Sequence, residues 1–176
     1  MSEYRRTSFG ETYFVTLTVV GWVDAFSRKE YKDILVENLS FCQLRLDLEI
    51  FSYVIMTNHI HLIARRQEGD LTELLGRFKS YTSKKIIEAI EKNIQESRKE
   101  WLLYLFNYFA KTNNQYSSYH FWSYKNHPTL LRSHDVFKQK IDYIHQNPVR
   151  AGIVTQPEHY LYSSASPDSP LKVLEM

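Results

Sequence analysis

The sequence predicts an α+β sandwich, with helices packed on an antiparallel sheet. Three observations carry that expectation. Runs rich in β-branched and aromatic residues alternate with stretches whose apolar residues recur every three or four positions. Two strand-like runs, residues 47–56 and 59–65, are joined only by Thr57 and Asn58, which makes them an antiparallel hairpin. The 176 residues are 43% apolar, enough for one real core and one domain of ordinary size.

Residues 12–20, from Thr12 to Val20, are β-branched and aromatic with polar residues at alternate positions, and read as a strand. Tyr31, Ile34, Leu35, Asn38, Leu39, Cys42 and Leu46 then mark an amphipathic helix over 28–46, with Ser27 as its N-cap. After the hairpin, Asp70 stands three residues before Glu73, a capping pattern. It opens a long helix to about Asn93, whose buried line runs Leu71, Leu74, Leu75, Phe78, Thr82, Ile86 and Ile90. A further helix is expected over 97–110, an exposed loop over 111–118, and a short strand over Tyr119–Tyr124. The last helix begins near Ser133 and should weaken near Asn147, because Pro148 disfavours the helical region for the residue before it. One domain over 1–165 is expected, followed by a loosely held Ser/Pro-rich tail over 166–176.

Composition excludes several classes. With 22 basic and 20 acidic residues the chain is no disordered polycation, so any affinity for nucleic acid must come from a local patch. The single cysteine, Cys42, cannot close an intrachain disulfide and no Cys-x-x-Cys pair offers a zinc site, which leads us to expect a reducing, cytoplasmic setting. No apolar run approaches the roughly 20 residues needed to span a bilayer, and the first residues lack the apolar stretch of a signal peptide, so no membrane partner is expected.

Two pairs of residues carry candidate chemistry. His59 and His61 lie two apart on a strand, so both imidazoles leave one face while Ile60 points into the core. That is the geometry of a two-histidine metal site, and equally of two surface histidines on a half-exposed sheet. Tyr143 and Asn147 stack four apart on the last helix, in the row Val136, Lys140, Tyr143, Asn147. At about 100° per residue that row flanks the apolar stripe of Phe137, Ile141 and Ile144 without belonging to it. A tyrosine there packs its ring in part and keeps its hydroxyl free.

With these motifs in place, the chain resembles the single-tyrosine HUH transposases, and among them the REP-associated tyrosine transposases that process repeated extragenic palindromes. The matching stretches are Met56–Ile63, Phe78–Ser83, Phe121-Trp122 with His127-Pro128, Tyr143–Gly152 and Tyr162–Ala165, spread over about residues 10–165. The order and distance of His-x-His relative to Tyr-Ile-x-x-Asn-Pro-Val-x-Ala-Gly make the likeness specific. It implies a ferredoxin-like or RRM-like sandwich with the histidines on a central strand. It also implies that His59 and His61 are metal ligands, that Tyr143 is the nucleophile, and that Asn147 is a third ligand where relatives often carry Gln. The implied cofactor is a divalent ion, Mg²⁺ or Mn²⁺. The implied substrate is single-stranded DNA with hairpin or palindromic repeats, cut and rejoined through a 5′-phosphotyrosine link. A homodimer is among the assemblies this family uses, and the REP-associated members can act as monomers. Two other readings stay open: an inert hairpin-DNA or RNA binding module of RRM-like shape, and a metal-dependent hydrolase that uses water.

DNA binding needs a basic track, since phosphates dominate affinity. Residues 65–85 hold six basic residues, Arg65, Arg66, Arg77, Lys79, Lys84 and Lys85, against three acidic ones. Arg77, Ser80, Tyr81, Lys84 and Lys85 fall away from the Leu71/Leu74/Phe78 line and are expected to grip a strand; Lys140, Arg150, Arg5 and Arg6 are further candidates. His120, His127 and His145 are expected to be structural or to contact DNA, and Trp101, Phe106 and Trp122 to be core.

Overall fold

The first strand, β1 (Tyr13–Thr18), is followed by α1 (Lys29–Arg45), β2 (Leu48–Ile55) and β3 (His59–Arg66). Then come α2 (Leu71–Lys92), α3 (Lys99–Lys111), β4 (Thr129–Leu130) and α4 (His134–Arg150). This computed structural model describes residues 7, 8, 10–112, 118–126 and 128–175; Arg5, Arg6, His127 and most of the expected 111–118 loop lie outside them.

The strands form one sheet in the order β2-β3-β1-β4, and every adjacent pair is antiparallel. The β1-α1-β2 unit therefore straddles β3, the split arrangement of a ferredoxin-like sandwich. α1 lies against α2 and β2, α3 packs outside α2, and α4 packs on β2 and β3. Every residue of the buried line expected on α2 is buried, and the Asp70 carboxylate caps it by accepting from the Thr72 N–H. Thr7 ties the start of the described chain to the same cap, its hydroxyl donating to Asp70.

Near Phe51 the β2–β3 register slips, with Ile50 opposite Ala64 but Ser52 opposite Ile63. This bulge turns two successive side chains toward α4, where Phe51 meets the Phe137 ring and Ser52 meets His145. The outer edge of β2 is covered by the chain after α4. Ser163 bridges Val54, Ser164 N–H donates to the Tyr53 carbonyl, and the Tyr160 hydroxyl donates to the Ile55 carbonyl. An edge paired in this way offers no template to another chain.

Five local expectations are corrected. Ser27 does not cap α1; its hydroxyl donates to the Asp24 carbonyl, and the N-cap is Arg28, without a side-chain hydrogen bond. The run Tyr119–Tyr124 makes only an isolated bridge, Trp122 to Val19, because Trp122 and Ser123 are drawn onto α2: the Trp122 indole donates to Thr82 and Lys79 donates to the Ser123 carbonyl. α4 runs through Pro148 to Arg150. Proline forfeits one hydrogen bond there, and its own burial together with the Ala151-to-Asn147 closure of the last turn offsets the loss. The tail is held: Leu171 is 1% exposed, and Leu174 N–H donates to the Ile50 carbonyl. Its serines supply turn hydrogen bonds in place of the looseness their composition suggests. Phe106 and Trp122 are core, as expected, but Trp101 is 51% exposed on α3, beside exposed Tyr104 and Tyr108. No helix among the described residues is long and apolar enough to cross a membrane.

Candidate active site

β3 runs through the middle of the sheet, between β1 and β2. Alternation sends Ile60, Leu62 and Ala64 to the face beneath α1 and α2, fully buried, and His59 and His61 to the face beneath α4. The two imidazole centroids are 4.6 Å apart. Tyr143 comes down from α4 so that its ring lies 5.2 Å from the His61 ring. Residues 82 positions apart in sequence thus meet within one chain.

Each imidazole is held from behind. His59 Nδ1 lies 2.7 Å from Asn58 Oδ1, an atom that only accepts, so Nδ1 carries the proton and Nε2 keeps its lone pair. His61 Nδ1 lies 2.9 Å from the hydroxyl of Thr16, its cross-strand partner. Phe14 stacks on His61 at 5.2 Å and meets Tyr143 edge-on at 5.9 Å, forming the floor of the site. Asn147 donates from Nδ2 to the Tyr143 carbonyl, 3.0 Å, and also hydrogen-bonds the His59 ring.

The electrostatics follow from burial. His61, 6% exposed, has its pKa pushed down to about 3, first by desolvation and then by the nearby His59 and Lys140. Desolvation also lowers His59, opposed by the Asn147 hydrogen bond and by the negative charge of Asp24. Both rings are therefore neutral at physiological pH, the state in which imidazole binds a metal. The donor set fits a divalent ion: two neutral ring nitrogens fixed by outer hydrogen bonds, with the Asn147 side-chain amide beside them. Among the described residues no cluster of three or more His, Cys, Asp or Glu side chains is placed to hold a metal ion, here or elsewhere, so a third donor at this site has to be an amide.

Two of the basic candidates reach this site. Lys140 Nζ sits 4.6 Å from the Phe14 ring centroid and 5.5 Å from that of Tyr143, and Arg150 lies over the Tyr143 ring at 5.4 Å. The others do not. Arg65 is on the same face but pairs with Glu49 and stacks on Phe51. Arg66 donates to the carbonyls of Leu46 and Asp70. Lys79 is a staple rather than the DNA contact expected of it: its ammonium donates to Ser123 O at 2.6 Å and Asn126 Oδ1 at 3.1 Å, and burial lowers its pKa to about 8. Arg77, Tyr81, Lys84 and Lys85 are exposed on α2, in the layer across the sheet from Tyr143. His145 is structural, bonded to Ser164 at 3.0 Å, and anchors α4 to the chain that edges β2. His120 Nε2 donates to the Trp122 carbonyl, 2.8 Å.

Sequence reasoning missed Phe14, Thr16, Trp22 and Asn58. The signal for Thr16 was its place on the alternating face of β1, and for Asn58 its position directly before His59; both needed the register to become readable.

Comparison with known proteins adds the following. The chain matches the family model described as "Transposase IS200 like" over residues 22–127, a span that includes His59 and His61 and ends before Tyr143. It is similar to a solved structure described as "Structure of the REP associates tyrosine transposase bound to a REP hairpin", with TM-score 0.55 and 21% identity, covering 93% of this chain and 82% of that one. At that identity the likeness is one of fold. No curated protein matches the chain.

Proposed function

The chain belongs to the IS200-like transposase family, and from that premise we propose that it cuts and rejoins single-stranded DNA beside hairpin or palindromic repeats, with Tyr143 as nucleophile. The observation that carries this reading is the approach of Tyr143 to His61, 5.2 Å between rings, on the one sheet face where both histidines point.

The Tyr143 oxygen attacks the scissile phosphorus. A tyrosyl O–P bond forms, the P–O3′ bond breaks, the phenol loses its proton and the departing 3′ oxygen gains one. The protein then carries the 5′-phosphate as an ester, and attack by a 3′-hydroxyl reverses the exchange and rejoins a strand. Because the ester conserves the bond, no external energy source is needed. Lys140 and Arg150 place positive charge against the tyrosine, where negative charge develops on the phosphate. His59, His61 and Asn147 would hold the divalent ion. When bound, it supplies Lewis-acid polarisation of the phosphate. Nitrogen donors suit Mn²⁺ at least as well as Mg²⁺, which prefers all-oxygen shells.

Arg77, Tyr81, Lys84 and Lys85 would grip the DNA away from the cut, on the α2 layer. A hairpin partner is supported by the fold shared with a transposase whose described structure holds a REP hairpin. Both halves of the site come from one chain, so the reading asks for no second copy, and a homodimer would pair two complete sites. The protein would work in the cytoplasm, where its buried, unpaired Cys42 stays reduced.

The test is incubation with Mn²⁺ and hairpin oligonucleotides taken from beside its own gene. Wild type should yield a protein–DNA adduct on a denaturing gel, and Tyr143→Phe should lose the adduct, more than about a thousandfold, while DNA binding holds within a few-fold. Cleavage that survives Tyr143→Phe would contradict the reading in favour of a hydrolase.

A further inference from the structure

Trp22 is the most exposed aromatic at the site, with 65% of its surface open, and its ring centroid is 5.9 Å from that of His59 at 68°. It stands on the far side of His59 from Tyr143, so the rings run in the order Trp22, His59, His61, Tyr143.

Its backbone is the second unusual feature. Trp22 has φ 56°, a left-handed conformation that bulky side chains avoid. The strain is maintained by specific contacts. Trp22 N–H donates to the Val19 carbonyl at 3.1 Å, and Asn58 Nδ2 donates to the Trp22 carbonyl at 3.3 Å. Gly21, at φ 63°, lies so close to Phe109 of α3 that a Cβ there would come within 2.5 Å of that ring. Asn58 thus uses one end of its amide to fix His59 Nδ1 and the other to fix Trp22. The indole and the imidazole are set by the same side chain.

An exposed indole earns nothing from core packing, yet here the chain holds it at the rim in an unfavourable backbone state. Aromatic faces of this kind bind unpaired bases by stacking, without regard to sequence. We propose that Trp22 is the stacking platform for a nucleobase of the single strand next to the scissile phosphate, and so positions that phosphate over the histidines. The proposal rests on the strand-cleavage reading above and adds to it the residue that orients the substrate.

The experiment measures binding of hairpin oligonucleotides, intact or with one abasic position moved stepwise along the flanking strand. In wild type one abasic position beside the cut should weaken binding about tenfold or more. Trp22→Ala should lose a similar factor with intact DNA and become indifferent to that position, and Trp22→Tyr should recover most of the loss. Trp22→Gly should bind as poorly as Trp22→Ala while its Tm stays level or rises, because glycine accepts φ 56° without strain. A structural role would instead lower Tm. Binding by Trp22→Ala within twofold of wild type, or equal abasic sensitivity in both proteins, would overturn the proposal. The adduct assay reads the cleavage reaction separately: abasic coupling without any wild-type adduct keeps the platform and removes the nuclease, and adduct without coupling does the reverse.

Discussion

On β3, Ile60, Leu62 and Ala64 face the layer under α1 and α2, whereas His59 and His61 face α4, and the residues interleave along a single strand. The apolar face is fully buried and needs nothing more than shape. The other face buries His61 almost as deeply and His59 in part, and there each ring needs a named partner: Asn58 and Asn147 for His59, and Thr16 and Phe14 for His61. Burial on the first face stabilises the fold through apolar area. On the second it keeps bases unprotonated, which serves chemistry and weakens the fold in acid. The two faces should therefore respond to substitution in opposite observables.

The largest contrast is between His61→Ala and Leu62→Ala, adjacent residues on opposite faces. His61→Ala should abolish Mn²⁺-dependent cleavage, by more than about a hundredfold, with a small change in Tm. Leu62→Ala should cost about 2–5 kcal/mol in denaturant unfolding, yet leave cleavage by the folded fraction near wild type. If both variants lost activity and stability together, the division between the faces would be false.

A subtler break is Thr16→Val, which removes only the hydroxyl behind His61 Nδ1. Metal affinity, read by titration with Mn²⁺, should fall about 10–100-fold, with stability nearly unchanged. Unaltered affinity would mean that Thr16 does not orient the ring.

The smallest effect is on stability against pH. His61 has a folded pKa of about 3, against about 6.5 when unfolded. The unfolded chain binds the proton first, so this contribution is complete above about pH 6.5 and is lost progressively as pH falls toward about 3. Unfolding at pH 7 and pH 5 should show a smaller loss for His61→Gln than for wild type. Equal losses would place His61 in solvent.

Much of this contrast was legible in the sequence, for a physical reason. Strand alternation has a period of two, so the faces of His59 and Ile60 follow once the strand is recognised. The 3.6-residue period likewise set the row of Tyr143 and Asn147 beside the stripe of Phe137, Ile141 and Ile144, and in the structure that row overlooks the histidines. Where period fails, so did the reading. β4 is two residues long and carries no pattern. Pro148 sits in a helix that local rules would end, because its tertiary burial is invisible locally. Lys79 has the charge of a DNA contact and the surroundings of a staple, and charge alone does not tell them apart. Thr16 and Asn58 acquire roles only through register, and Trp22 only through a backbone angle.

The central claim is that one tyrosine, carried by α4, reacts above the histidine face of β3. The chain holds 13 tyrosines, so locating the attachment point decides it. Digestion of the trapped protein–DNA adduct followed by mass spectrometry should find the nucleotide on the peptide bearing Tyr143. A nucleotide on any other tyrosine, or cleaved DNA with none attached, would contradict the account.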